Sequence, residues 1–335
     1  MDELDRKIAA ALQVNGRASW LQVARVVGRS ESTVARRAQR MIEAEDLRVV
    51  AVADPVRCGF GYPVLMQLNV EVGAAYRVAH TLAERSDVRF LALVTGSFDI
   101  VLEIIVPSRR YLARLLLEEL PQIEGIKETT TETVLRNFKM SYDWSQELLE
   151  GVRTELARPL ETSEPTHKPY SLDAIDFHLY ELLLEDGRRS FSELAAISGL
   201  SESKTRRRVE ALWGKGYLKF ATLVEPYLLG YDVECFCWIR ADLSRLEETA
   251  EALASLQEVR YLSATIGHSD LICETILRSQ NDLYEFSTRN LGQLPGIKSV
   301  DIGLELQTVK RAYRSISLPE DPQEAVGSEI QRGRS

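Results

Sequence analysis

At 335 residues, the chain is long enough for two or more domains. Its 45% hydrophobic and 27% charged residues are those of an ordinary soluble globular protein, and no apolar run approaches the roughly 20 residues of a membrane-spanning helix. The net charge of −9 argues at first against nucleic acid, but where the charges lie matters more than their sum.

The chain opens MDELDRKIAAALQ, with acids in its first five residues and no apolar core, so it does not read as a signal peptide. Leu4, Ile8, Ala11 and Leu12 share one helical face. Asn15-Gly16-Arg17 stops that helix. Ser19 caps a second helix carrying Leu21, Val23, Ala24 and Val27, and Gly28 permits a sharp turn. Ser30 caps a third helix, with Glu31 in its first turn favoured by the dipole. Two short helices joined by a Gly-containing turn read as a helix-turn-helix. On the third helix Val34, Ala38 and Met41 face inward, Thr33, Arg36 and Arg40 face outward, and Arg37 lies on the flank. A recognition helix needs this arrangement of an apolar back and a Ser/Thr/Arg face.

Residues 47–55 form a short β stretch, read as a wing or hinge strand. Beyond it, 62–72 is extended, 74–85 helical, 88–95 and 99–106 β-rich around a Gly96-Ser97-Phe98 hairpin, 109–120 helical, and 126–139 a strand rich in Thr and Val. The order βαββαβ predicts a ferredoxin-like sandwich with one sheet face free of helices, and that face predicts pairing with another such domain.

A constant offset of 171 then repeats the whole pattern. Asp5 maps to Asp176, Gly16 to Gly187, Gly28 to Gly199, Ser30-Glu31-Ser32 to Ser201-Glu202-Ser203, Pro55 to Pro226, Gly96 to Gly267, Asp99 to Asp270 and Lys139 to Lys310. The fold class is therefore α+β: two copies of a winged helix-turn-helix followed by a ferredoxin-like βαββαβ sandwich. The units fall at 1–50, 60–145, 171–221 and 231–316. A polar linker with three prolines (151–170) separates the halves, and 317–335 reads as a disordered tail.

The charge is distributed accordingly. Residues 17–42 hold Arg17, Arg25, Arg29, Arg36, Arg37 and Arg40 against Glu31 alone, a net of +5. Residues 188–213 hold Arg188, Arg189, Lys204, Arg206, Arg207 and Arg208 against Glu193, Glu202 and Glu210, a net of +3, which leaves −17 on the rest of the chain. Two basic islands on an acidic body point to phosphate. The expected DNA contacts are Arg29, Ser30, Ser32, Thr33, Arg36, Arg37 and Arg40 in the first half, and Ser201, Ser203, Lys204, Arg206, Arg207 and Arg208 in the second. Cys58, Cys235, Cys237 and Cys273 form no C-x-x-C pair, so buried thiols in a reducing cytoplasm are expected, and neither a metal nor a cofactor.

The stretches N-G-R-x-S (15–19), V-G-R-S-E-S-T-V-A-R-R (27–37), P-x-x-x-G-F-G-Y (55–62) and V-T-G-S-F-D-I (94–100) resemble the Lrp/AsnC, or feast/famine, family of transcription regulators. The resemblance covers about 2–143 and 172–316. It implies a winged helix-turn-helix that binds double-stranded operator DNA, and a second domain that self-associates and binds an amino acid or related metabolite. It implies effector contacts at Thr95, Gly96, Ser97, Phe98 and Asp99, with Thr129 and Thr131 on the last strand. The second hairpin supplies Ile266, Gly267, His268, Ser269 and Asp270. There Val300-Asp301-Ile302 replaces the threonines, so the second site is expected to be lost or to differ in ligand, and Phe98 against His268 is a large chemical change. Because one chain holds both copies, a pseudo-dimer with two unequal recognition helices, suited to an asymmetric operator, is expected.

Siroheme decarboxylases, sometimes fused in tandem, resemble the same family. Their His-Asn-Tyr…Asn-x-Trp-type run is absent, and of His80, His167, His178 and His268 only His268 lies at the expected cleft. No catalytic residue is expected. A ligand-sensing scaffold without DNA binding is the third reading.

Overall fold

The computed structural model describes residues 1–149, 156 and 172–315. In the first half α1 (Glu3–Val14), α2 (Trp20–Val27) and α3 (Glu31–Glu43) start at Asp2, Ser19 and Ser30, each of which accepts a backbone N–H of the first turn. The α2–α3 turn passes through Gly28 at φ +64°, where a side chain would be strained. Next come β1 (Arg48–Ala53), β2 (Tyr62–Val70), α4 (Ala75–Ala83), β3 (Val88–Val94), β4 (Ile100–Val106), α5 (Arg109–Arg114), which runs on through a π turn, and β5 (Ile126–Met140). The second half repeats them as α6 (Ala174–Glu185), α7 (Phe191–Ser198), α8 (Glu202–Gly214), β6 (Leu218–Leu223), β7 (Val233–Ala241), α9 (Leu246–Ser255), β8 (Val259–Ile266), β9 (Leu271–Leu277), α10 (Gln280–Glu285) and β10 (Ile297–Arg311), followed by the short β11 (Arg314–Ser315). The expected linker and tail lie outside the described residues, Leu156 apart. No helix of the described residues is long and apolar enough to cross a membrane.

The strand read as a wing or hinge joins the halves. β1 and β6 pair antiparallel along their full length, from Arg48 opposite Leu223 to Ala53 opposite Leu218. Two arginines fasten the same junction reciprocally. Arg17 donates to the carbonyls of Gly187 (2.5 Å) and Arg189 (3.1 Å), and Arg188 donates to those of Gly16 (2.6 Å) and Ala18 (3.1 Å). Arg17 also lies over Phe191 and Arg188 over Trp20. The two helix-turn-helix units therefore hold a fixed mutual orientation.

Each α/β domain has strand order β3-β4-β2-β5 or β8-β9-β7-β10. The edges then complete each other: β5 pairs with β8 and β10 pairs with β3, so eight strands close into one ring. No strand edge of either domain is left unpaired at this seam. Val64, Met66, Leu68 and their neighbours pack outward under α4, with an equivalent outer core under α9. Leu65, Val101, Phe98, Phe236, Trp238 and Tyr261 point inward and fill the space between the sheets.

Charge is buried in that interior. Arg89 grips Glu103 with two hydrogen bonds of 2.5 Å, and both side chains are 6% exposed. Their counterparts Arg260 and Glu274 sit in a larger cluster with Glu234, Glu305 and Arg311. The first half has Pro63, Val134 and Met140 where the second has Glu234, Glu305 and Arg311. The interior is thus unequal although the backbone is repeated. All four cysteines are buried free thiols, and Cys235 and Cys237 face the same outer core.

Two stability outcomes follow from this packing. Arg89→Met alone should cost about 3–5 kcal/mol in denaturant unfolding, because Glu103 is left buried and unpaired, whereas adding Glu103→Leu should recover most of the loss. Thr205 replaces Val34 at a fully buried position of α8, and its hydroxyl has no partner. Thr205→Val should therefore raise unfolding stability by about 1 kcal/mol.

Candidate DNA interface and effector pocket

The outer faces of α3 and α8 divide the predicted DNA contacts into two groups. Arg29, Ser30, Ser32 and Arg36 are exposed, with Thr33 half-buried beside them. The Ser30 hydroxyl is held by its capping role and by Thr33 Oγ1 (2.8 Å). In the second half Ser201, Ser203, Lys204, Arg206 and Arg207 are exposed, and Ser201 starts α8 without a side-chain cap bond. Arg206 lies over the Phe191 ring and pairs with Glu202 (3.1 Å).

Arg37 and Arg208 differ from the sequence expectation. Arg37 bonds Asp2 (2.6 Å) and Asp5 (2.8 Å), and Arg208 bonds Asp173 (2.7 Å) and Asp176 (2.6 Å). These are one ion-pair motif in two copies that ties each recognition helix to the first helix of its unit. Asp5 and Asp176 are nearly inaccessible, so both arginines are already neutralised from behind. Arg40 also reaches Asp5 (2.6 Å), yet its side chain stays 61% exposed. Arg17 and Arg188, counted in the basic islands, point at carbonyls of the opposite unit instead. Burial, with Arg17 nearby, pushes the Arg188 guanidinium down to about 10. Of the predicted contacts, Arg29, Arg36 and Arg40 remain outward on one unit, and Lys204, Arg206 and Arg207 on the other.

The two hairpins meet across the ring, each crossing the last strand of the opposite half. Thr95 exchanges backbone and side-chain hydrogen bonds with Leu304 (2.8 and 3.0 Å). Gly267, at φ +152°, passes so close to β5 that a Cβ would sit 2.9 Å from Glu132 Cγ, and only glycine fits there. The aspartates serve the fold: Asp99 accepts the Val70 N–H and Asp270 that of Ala241, both at 2.8 Å. Gly96 and Ser97 are exposed at the first tip, and Ile266 is exposed where it pairs with Thr133.

Three expectations are corrected. By the 171 offset, Phe98 corresponds to Ser269 and Ser97 to His268. In space Phe98 lies edge-on to both Trp238 (5.1 Å) and His268 (6.4 Å). Thr129 and Thr131 pair with Leu68 and Met66, which face the outer core. The strand residues on the ring's inner side are Thr130 and Glu132, opposite Gln67 and Leu65. The second hairpin, expected to be the weaker site, is the one beside a cavity of about 180 Å³, lined by Trp238, Arg240, His268, Ser269, Ser299, Val300 and Asp301. Of these, Trp238, Arg240 and Ser299 were missed by sequence reasoning. Comparison of the halves at these positions carries the signal, since Arg240 and Asp301 stand where the first half has Asn69 and Thr130.

Glu132 is fully buried at this junction. Its Oε1 accepts the Ser269 N–H (2.6 Å), and its Oε2 has no partner. Burial raises its carboxyl above the ordinary 4.5, outweighing the pull of that N–H. A folded value above the unfolded one means that Glu132's contribution is fully present below 4.5 and is lost as pH rises through the folded value. Glu132→Gln should therefore raise the melting temperature at neutral pH, and the gain should vanish in thermal melts below about pH 4.5.

Residues 1–42 and 172–212 match the AsnC-type helix-turn-helix domain, and 64–144 and 234–315 match the Lrp/AsnC ligand binding domain. An uncharacterized HTH-type transcriptional regulator of Pyrococcus furiosus is 36% identical over 146 residues, covering 43% of this chain and 99% of that protein. The HTH-type transcriptional regulator Ptr1 of Methanocaldococcus jannaschii is 31% identical over 140 residues, covering 42% of this chain and 95% of its own length. Each corresponds to one half of the present chain. Among solved structures, the siroheme decarboxylase NirDL aligns over 100% of both chains with a TM-score of 0.60 at 14% identity, a likeness of fold. With two helix-turn-helix and two ligand-binding matches in series, the chain belongs to the Lrp/AsnC family of transcription regulators as a tandem duplicate.

Proposed function

We propose that this chain binds an asymmetric operator through two unequal reading heads held at a fixed spacing, and that a small effector bound at the paired α/β domains tunes that binding. The observation that carries this reading is the joint one of β1–β6 pairing and the Arg17/Arg188 exchange. It locks together two helices whose outward residues differ: Thr33, Arg36 and Arg40 on one, and Lys204, Arg207 and Ala211 at the same positions on the other. A symmetric site would offer identical edges to non-identical side chains. Such a regulator works in the cytoplasm beside the chromosome, as a pseudo-dimer that self-associates further through its α/β domains.

The whole-chain fold match to NirDL favours one second reading, an enzyme acting on a tetrapyrrole. Against it stands the space between the sheets beside Arg89, Phe90 and Tyr261, which is only about 60 Å³. Pockets for drug-sized ligands are roughly 300–1,000 Å³. Aromatic and ion-paired side chains occupy the rest of that interior.

Gel retardation with salt titration separates the readings. The full chain should retard its operator with a steep salt dependence. Arg36→Ala and Arg207→Ala should each lower affinity and reduce the salt slope by about 1. Absence of salt-dependent retardation, together with decarboxylation of added siroheme, would establish the enzyme instead.

A further inference from the structure

We propose that the second half carries a binding pocket for a small guanidinium cation that bears no carboxylate, at the end of β9 beside α10. No residue of either hairpin lines it. In the first half the chain itself fills the equivalent place. Arg85 donates to the Asp87 carboxylate (3.0 and 2.9 Å), to Glu119 (2.8 Å) and to Tyr111 Oη (3.2 Å), so each of its guanidinium nitrogens is engaged. By the 171 offset these three receptors become Glu258, Asn290 and Asp282, and the arginine becomes Leu256. The backbone arrangement is the same in both halves: Lys310 donates to the Arg85 carbonyl (2.6 Å), and its counterpart Lys139 donates to the Leu256 carbonyl (2.5 Å). Leu256 packs against the outer core under α9 instead. Glu258, Asp282 and Asn290 then all border a cavity of about 230 Å³ that Leu256 does not line. The second half has thus kept a receptor for an arginine side chain, with Tyr111 exchanged for a further carboxylate, and has lost the arginine.

The lining selects the ligand. Glu147, Glu258, Asp282 and Glu285 border the cavity against Arg278. Arg278 already belongs to Glu147 (2.7 Å), which also accepts the Tyr231 hydroxyl (2.5 Å). Asp282 accepts the Ser279 hydroxyl (3.0 Å), and Glu285 pairs with Arg289 (3.3 Å). Glu258 has no ion pair or side-chain hydrogen bond among the described residues, although the Lys139 charge acts on it from outside the lining. A planar guanidinium can take Glu258 in the forked geometry that Arg85 makes with Asp87, and it keeps further N–H groups for Asp282. Trp144, Tyr231 and Phe286 add rings to the wall, and Arg278 already lies over Tyr231 at 5.3 Å. A guanidinium stacks on such rings, whereas an ammonium is a compact, strongly hydrated charge. A ligand carboxylate would meet the excess of acids and be repelled. Trp144 and Glu147 lie on the segment after β5, and Ser145 between them donates to Gln13 of α1 (2.6 Å). The wall of the pocket is therefore fastened to the first helix-turn-helix unit.

Titration calorimetry and thermal shift on the full chain, with agmatine as the guanidinium probe, test the proposal. Agmatine should bind at one per chain and raise the melting temperature. Arginine, which adds a carboxylate, and putrescine, which carries an ammonium in place of the guanidinium, should each bind at least tenfold more weakly. Glu258→Gln should weaken agmatine binding at least tenfold. Leu256→Arg restores the residue of the first half, so it should fill the pocket, abolish agmatine binding and raise the melting temperature of the unliganded chain. A rise in melting temperature with loss of binding separates occupation of the pocket from damage to the fold. No binding of agmatine, binding of arginine or putrescine as tight as that of agmatine, or agmatine binding unchanged by Glu258→Gln and Leu256→Arg would each overturn the proposal.

Discussion

The rest of the structure depends on two strand ladders, β5 with β8 and β10 with β3. Each joins the edge of one ferredoxin-like sheet to the edge of the other. A single such domain leaves an apolar sheet face and two open edges, which water disfavours and which invite uncontrolled pairing. Closing the ring within one chain removes both liabilities and makes the partner's local concentration a property of the chain itself. The hairpins must then cross the last strand of the opposite half, which explains why Gly267 is glycine and why Thr95 bonds Leu304.

Intrachain closure also frees the two halves from identity. In a symmetric dimer every interior residue occurs twice, so a lone charge would appear in both copies. Here Glu234, Glu305 and Arg311 occur on one side and Pro63, Val134 and Met140 on the other, and the charges find partners without duplication. The same freedom separates Phe98 from Ser269 and Asn69 from Arg240. One hairpin has become a brace and the other borders a polar cavity.

Much of this was legible in the chain. Ser19, Ser30 and Gly28 announce the helix caps and turn, the constant offset announces the repeat, and hydrophobic alternation announces βαββαβ. Three features were not legible, for physical reasons. An arginine looks the same whether it faces phosphate, a carbonyl or a buried aspartate, so Arg17, Arg37, Arg188 and Arg208 inflated the apparent DNA face. Which side of β5 turns inward depends on its register with β2, so the threonine pattern alone points to Thr129 and Thr131 where Thr130 and Glu132 face inward. The cross-strand pairing that brings Arg240 beside Asp301 joins residues about sixty positions apart and leaves no local mark.

On the proposed reading, two unequal heads rigidly joined in one chain read an operator that is itself unequal. Hydroxyl-radical footprinting of the full chain on a selected operator tests it most directly. Two protected segments of different sequence are expected, with Arg36→Ala erasing protection over one and Arg207→Ala over the other. A palindromic footprint, weakened equally on both sides by either substitution, would contradict it.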